Sequence, residues 1–132
     1  MELTIEVSKH LSSYTGQIYD GYIEIGHARV ISEGSKWTIT QWYINSDYMK
    51  KGYGRLLMRS VLRSMCNETD IRPTEVEYIW NGVNKYVHEW LERNFNATCK
   101  VNEWASKGSA EDDWSNHIYR LDANLFRNYF EL

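Results

Sequence analysis

The run WYINSDYMKKGYGRLLM, residues 42–58, decides the fold. It opens on aromatic and β-branched residues, the composition of a strand. It passes through the turn Lys50-Lys51-Gly52-Tyr53-Gly54 and then places apolar residues at Leu57, Met58, Val61, Leu62 and Met65, the stripe of an amphipathic helix. A strand entering a helix through such a turn points free backbone N–H groups at one spot, at the positive end of the helix dipole. That is a cradle for a pyrophosphate. Gly52 and Gly54 carry no Cβ, so phosphates can approach the backbone. The spacing is not that of a P-loop, and Mg-dependent phosphoryl transfer is disfavoured. Nor is it a Rossmann fingerprint, which needs a third glycine and a leading parallel βαβ unit.

Before this run the chain reads as strands. Leu3, Ile5 and Val7 alternate with polar residues, a half-buried strand ending near Lys9. Residues 16–19 read as a second short strand, and Asp20-Gly21 as a hairpin turn. Residues 22–30 form a third strand, kinked at Gly26. Residues 37–44 (WTITQWYI) form the fourth. After the helix, residues 74–80 read as a buried strand. Residues 83–94 read as a second helix with Val83, Tyr86, Val87, Trp90 and Leu91 on one face. Residues 97–104 and 114–121 read as strands around a polar, acidic loop. Asp122 can cap a terminal helix in the tail, 122–132, made amphipathic by Leu125, Phe126, Tyr129 and Phe130. The class is therefore α+β: a mixed, mostly antiparallel sheet flanked by helices that cover its faces. Arg55, Arg59 and Arg63 make a second stripe on the first helix, and Arg59 and Arg63 read as a solvated face.

The chain has 132 residues with 42% hydrophobic and 25% charged, which fits one globular domain over 1–132. Fifteen Lys and Arg against eighteen Asp and Glu give −3, which weighs against a dedicated nucleic-acid binder. Cys66 and Cys99 are too few for a disulfide scaffold and lack metal spacing, so no metal is expected. With no signal peptide, the thiols read as reduced and the protein as cytoplasmic. No apolar run approaches the roughly 20 residues of a membrane span.

The strand–loop–helix run resembles the GNAT family of N-acetyltransferases. Their signature is a strand ending in a Leu-Tyr-Val-like triplet, then Arg or Gln, two residues, Gly-x-Gly or Gly-x-Ala, and a helix. Here the triplet is Trp42-Tyr43-Ile44 and the loop runs from Met49 through Lys50, Lys51, Gly52 and Tyr53 to Gly54. Met49 replaces the usual Arg or Gln, at a loop the family uses mainly through its backbone. Trp90-Leu91-Glu92-Arg93-Asn94-Phe95 sits where the family has Tyr-x-x-x-Gly-Phe. The order of elements from residue 14 to 121 follows the family too.

The resemblance implies acetyl-CoA as acyl donor and direct transfer of its acetyl group to an amine. The fourth and fifth strands would splay apart around the pantetheine arm. Trp42, Tyr43 and Ile44 would line it, and the amides up to Arg55 would hold the pyrophosphate. Asn84 stands where the family often has an Asn touching the arm. Trp90 replaces the family's usual proton-donating Tyr, and an indole is no useful acid. Tyr86, one turn earlier, can substitute, or can be a packed aromatic. Thr38 stands where some members carry a Glu base, leaving water as proton carrier. His88 is expected to face outward, and His27 reads as an exposed or half-buried strand residue. Only about six residues link the first two strands, where the family usually has two helices walling the acceptor site.

An open site suits a large acceptor, such as a protein lysine or N-terminus, or closure by a second subunit through the tail. Packing of the tail on its own sheet is the plainer reading. Glu111, Asp112 and Asp113 would border the acceptor entrance and dock a cationic amine. Two other readings stay open: a GNAT-fold binding or inhibitor module without chemistry, and an acyltransferase acting on a nucleic-acid base. The arginine stripe favours the last; the net charge opposes it.

Overall fold

The computed structural model describes residues 2–80, 85–101 and 117–132. The strands are β1 (Leu3–His10), β2 (Ser13–Asp20), β3 (Ile23–Glu33), β4 (Lys36–Ile44), β5 (Glu75–Trp80), β6 (Thr98–Val101) and β7 (His117–Leu121). The helices are α1 (Tyr53–Thr69), α2 (Lys85–Phe95) and α3 (Ala123–Phe130), with a 3-10 turn at Ser46–Tyr48. One sheet holds all seven strands in the order β1-β2-β3-β4-β5-β7-β6. Among the described strands only β4 and β5 run parallel, joined by the crossover through α1. The mixed, mostly antiparallel class read from the sequence is the observed one.

The β1–β2 link is shorter than the sequence reading. It is a hairpin turned by Leu11 and Ser12, with Leu11 left-handed at φ 55 and 81% exposed. β2 therefore starts at Ser13, and Tyr14 is a buried core residue rather than part of a loop. The kink expected at Gly26 is a bulge beside it: Ile18 pairs Gly26 while Tyr19 pairs Glu24, so Ile25 is extra.

The stripe on α1 is buried as its spacing dictates: Leu57, Met58, Val61, Leu62 and Met65 join the core, with Cys66. The helix seats directly on β2. A Cβ on Gly16 would lie 2.5 Å from Val61 Cγ2 and 3.1 Å from Leu57 Cδ1, so only glycine permits the approach. Gly16 is in register with Ala28 and Ala28 with Trp42, which marks the helix face of the sheet. On that same face Trp42 meets Trp90 of α2 and Phe130 of α3.

The three described helices thus share one face, rather than covering both. The rungs Thr15–Arg29–Gln41 and Gln17–His27–Tyr43 lie on the other face. Their polar side chains suit a solvated face of an antiparallel sheet.

The tail folds as its cap predicts. Asp122 Oδ1 accepts from the N–H groups of Asn124 at 2.9 Å and Leu125 at 3.0 Å. Phe126 and Phe130 are 0% exposed, and α3 lies against its own chain. The arginine stripe is not simply solvated. Arg59 Nη2 donates to Glu131 Oε2 at 2.6 Å, with Arg63 3.9 Å from the same oxygen. Arg55 donates to the Tyr129 carbonyl at 2.9 Å and lies over that ring. The stripe is the dock for the tail. Among the described residues, no helix is long and apolar enough to cross a membrane. Cys66 and Cys99 are free thiols.

Candidate functional site

The site is a fork between two parallel strands. β4 and β5 are in register from Lys36↔Glu75 to Ile39↔Tyr78, and there the pairing stops. Residues 40–44 of β4 run on with β3 alone, while Ile79 and Trp80 of β5 pair only with β7. Beyond Ile39 the edge of β4 that faced β5 has no strand partner among the described residues.

Where β4 ends, Asn45 caps the 3-10 turn by accepting from the Asp47 N–H at 3.0 Å. Tyr48 donates its hydroxyl to Asp20 Oδ2 at 2.8 Å, which anchors the turn to the β2–β3 hairpin. That bond, more than burial, holds the Tyr48 phenol above its ordinary range. Met49 is extended and exposed. Lys50 at φ 63 and Gly52 at φ 81 then take left-handed conformations that reverse the chain into α1. Lys51 lies over the Tyr48 ring at 5.9 Å.

The start of α1 suits an anion. Gly52 gives no side-chain cap, and the first turn holds no acidic residue. The leading N–H groups of a helix have no intrahelical partner, and the dipole favours negative charge there. The Gly52 Cα has nothing within 4 Å of where a side chain would begin. The Arg55 side chain is committed to Tyr129, so its backbone N–H is what it offers the loop. These features suit an anionic group such as a phosphate.

Trp42 ties loop to fork. Its indole N–H donates to the Gly54 carbonyl at 3.0 Å, and its ring stands 6.0 Å from Tyr78 across the strands. Ile44 is buried beneath the loop, while Tyr43 points to the opposite face, its ring 5.5 Å from His27. All the loop residues from Met49 to Arg55 thus gather with Trp42 and Ile44 at one end of the fork. Trp90 packs edge-on against Trp42, Phe95 and Tyr129, an aromatic filler with no acid to offer. Tyr86 has its backbone in α2; its side chain, and Asn84, Glu111, Asp112 and Asp113, lie outside the described residues.

Two groups escaped the sequence reading. Thr38 is buried, and its register partner is Glu77, whose carboxylate lies 3.5 Å from Lys36 Nζ. A carboxylate thus stands one strand over from the position where the resemblance left none. His88 does not face outward. Its Nε2 lies 2.7 Å from Glu92 Oε1 and its Nδ1 3.0 Å from the Tyr119 hydroxyl. A neutral imidazole donating to the carboxylate accepts from the phenol. The His88–Glu92 spacing of four on a helix was the available signal.

Tyr119 and Tyr78 are buried side by side on β7 and β5. Burial drives both phenols far above their ordinary range, and the Cys99 thiol beside Tyr119 adds to its shift. In the unfolded chain they lose their protons near pH 10. Above that pH the unfolded state binds fewer protons than the folded one, so stability falls as pH rises. Melting temperatures should drop steadily from about pH 10 upward, and Tyr119→Phe should make the fall shallower. A melting temperature flat to pH 11 would contradict this burial.

No protein-family model and no curated protein matches the sequence. Solved structures match its fold. A GNAT family acetyltransferase from Elizabethkingia anophelis, with acetyl-CoA bound, superposes with TM-score 0.63 at 10% identity, covering 90% of this chain and 95% of that one. A Bacillus subtilis acetyltransferase in complex with CoA gives 0.60 at 10% identity, covering 91% and 97%. The ribosomal-protein-S18-alanine N-acetyltransferase from Escherichia coli gives 0.60 at 14%, covering 86% and 70%. The chain has the fold of the GNAT acetyltransferases.

Proposed function

We propose that this chain is an N-acetyltransferase that moves the acetyl group of acetyl-CoA directly to an amine of a large acceptor, such as a protein lysine or N-terminus. The observation that carries the reading is the fork itself, opening beyond Ile39 beside an uncapped, acid-free helix start. Several structures of this fold hold acetyl-CoA or CoA. Acetyl-CoA supplies the activated acyl group. The backbone from Met49 to Arg55 holds its diphosphate, and the free edge of β4 holds the arm as an added strand would be held.

The transfer forms a C–N bond and breaks the C–S bond. The amine gives up a proton and the departing thiolate takes one. Glu77 accepts the amine proton, directly or through a water, and Tyr86 supplies the thiolate proton. Glu111, Asp112 and Asp113 draw the cationic acceptor. The helix-free face of the sheet among the described residues leaves a broad acceptor approach, which favours a macromolecule over a small amine.

One observation favours a second reading. Trp90 is packed where a phenol would serve, which suits a module that binds CoA without chemistry. A single experiment separates the two. Acetyl-CoA binding is measured by calorimetry, and thiol release is followed with lysine peptides, free N-terminal peptides and small polyamines. Binding with turnover on peptides is expected. Glu77→Gln and Tyr86→Phe should each cost roughly 10²–10⁴-fold in turnover. Binding without turnover on any amine would favour the module, and no binding at all would sink both.

A further inference from the structure

β1 is an open edge. Among the described residues it pairs only with β2, so its other side carries no strand. The ladder tells which groups face out. The Gly21 N–H donates to the Glu2 carbonyl at 2.9 Å, so that opposed pair is a hydrogen-bonded one. Such pairs alternate along an antiparallel ladder. Thr4, Glu6 and Ser8 therefore bond β2, while Leu3, Ile5 and Val7 turn their N–H and C=O groups outward. Sheets usually blunt such an edge with shortness, proline or a bulge. β1 has eight residues, no proline and an unbroken register with β2. The β2–β3 and β3–β4 pairings, by contrast, each carry a bulge, Thr40 being the extra residue of the second. The side chains of Leu3, Ile5 and Val7 pack on the core from the helix face yet stay half-buried. Glu2, Thr4, Glu6 and Ser8 are exposed.

We infer that β1 pairs antiparallel with β1 of a second copy, joining two sheets into one across a two-fold axis. The occupant follows from self-complementarity. Opposed residues must share a face of the sheet, which puts the axis on a residue rather than between two. An axis at Thr4 sets Glu2 against Glu6, and one at Glu6 sets Glu6 against its own copy. An axis at Val7 sets Ile5 against Lys9. An axis at Ile5 avoids all three clashes. It sets Leu3 against Val7 and Ile5 against Ile5, one apolar row across the helix face, and Thr4 against Glu6 on the other face. The outward groups of Leu3, Ile5 and Val7 then find partners, about six hydrogen bonds in all. Lys9, paired with Glu68 of its own α1, lies beyond the paired stretch. A strand of another protein has no reason to match both this apolar row and this spacing of acids. The axis stands normal to the sheet, so the helix-free faces of both copies lie on one side. β4 is three strands in from the junction, which leaves both forks free.

The test is sedimentation equilibrium of the full chain over a wide range of concentration, and wild type should be a dimer. Thr4→Glu, at an exposed side chain, sets like charges opposite each other at two symmetric places. It should weaken the dimer about tenfold. Thr4→Lys sets opposite charges there and should tighten it by a similar factor, and high salt should shrink both effects. Ile5→Pro removes an outward N–H at the axis while keeping every bond to β2, and should leave a folded monomer. Should Ile5→Pro fail to fold, the Thr4 variants decide alone. A wild-type monomer at every concentration reached overturns the inference. So does a dimer whose dissociation constant is the same in Thr4→Glu and Thr4→Lys, since its interface then lies elsewhere. A folded Ile5→Pro protein that dimerises like wild type overturns it as well. None of these readouts involves acetyl-CoA, so the proposed function stands or falls separately.

Discussion

Gly54→Val should lose CoA binding by more than about a hundredfold while the protein still folds. Two features set this expectation. A Cβ at Gly54 would rest 3.4 Å from Ile44 Cγ1 and 3.6 Å from Trp42 Nε1, which is ordinary contact. The fold therefore tolerates a small side chain here. The free N–H groups of the first turn, however, must touch phosphate oxygens at hydrogen-bond distance, and branched carbons at this position hold the anion away. Each hydrogen bond to a charged partner contributes about 1.5–3 kcal/mol. Loss of two passes a hundredfold at about 1.4 kcal/mol per decade.

Gly54→Ala gives the complementary result. Alanine is the better helix former by up to about 1 kcal/mol, and its lone Cβ meets Ile44 and Trp42 at ordinary contact, so its melting temperature should hold or rise while its CoA affinity stays near wild type. Met49→Ala, at an exposed side chain, should leave the affinity alone. Calorimetry with CoA reads all three variants. Wild-type affinity in Gly54→Val would place the diphosphate elsewhere, and the anion slot at α1 would have to be abandoned.

What the sequence made legible was periodicity. The α1 stripe, the alternation of Leu3, Ile5 and Val7, and the Asp122 cap are local signals, and each appears where its spacing put it. The β1–β2 link was misread because Leu11 takes a left-handed turn position that Gly or Asn normally marks. The tail contact of Arg59 was not legible because its partner, Glu131, is 72 residues away, while Arg63 is exposed as read.

Nothing in the stretch Thr38-Ile39-Thr40-Gln41 announces a bulge either. Register slips follow from how β4 meets two neighbours with different partners, a tertiary matter. His88 was assigned by its sequence distance from Tyr86 and Trp90. A position near the flank of a helix face can turn inward when the neighbouring strand offers a phenol. The loop was legible because glycine and the helix start act locally. Glu77, in register with Thr38 next to the last β4–β5 pair, was not, because only strand pairing brings it there.

Phe130→Ala should destabilise the protein by about 3–5 kcal/mol, the range for emptying a large buried aromatic site. The tail invites the opposite expectation. Its amphipathic face could equally serve a second subunit. The packing decides otherwise. Phe130 is fully buried, its ring stacked at 6.3 Å on Phe95 and 5.0 Å from Phe126, and 6.0 Å from Trp42. α3 fills the space between α1 and α2, and without it Trp42 loses a neighbour at the fork. The cap at Asp122 and the contacts of Arg55 and Arg59 fix both of its ends. A lower denaturation midpoint with an unchanged slope is the expected readout. CoA affinity should weaken as well, since Trp42 bonds Gly54. Leu125 is the large apolar side chain of α3 left exposed. Leu125→Glu should change stability by less than about 0.5 kcal/mol. A Phe130→Ala cost below about 1 kcal/mol would show that the tail is not part of the core. A wild-type dimer in sedimentation that Leu125→Glu dissolves would return the tail to the role of an interface.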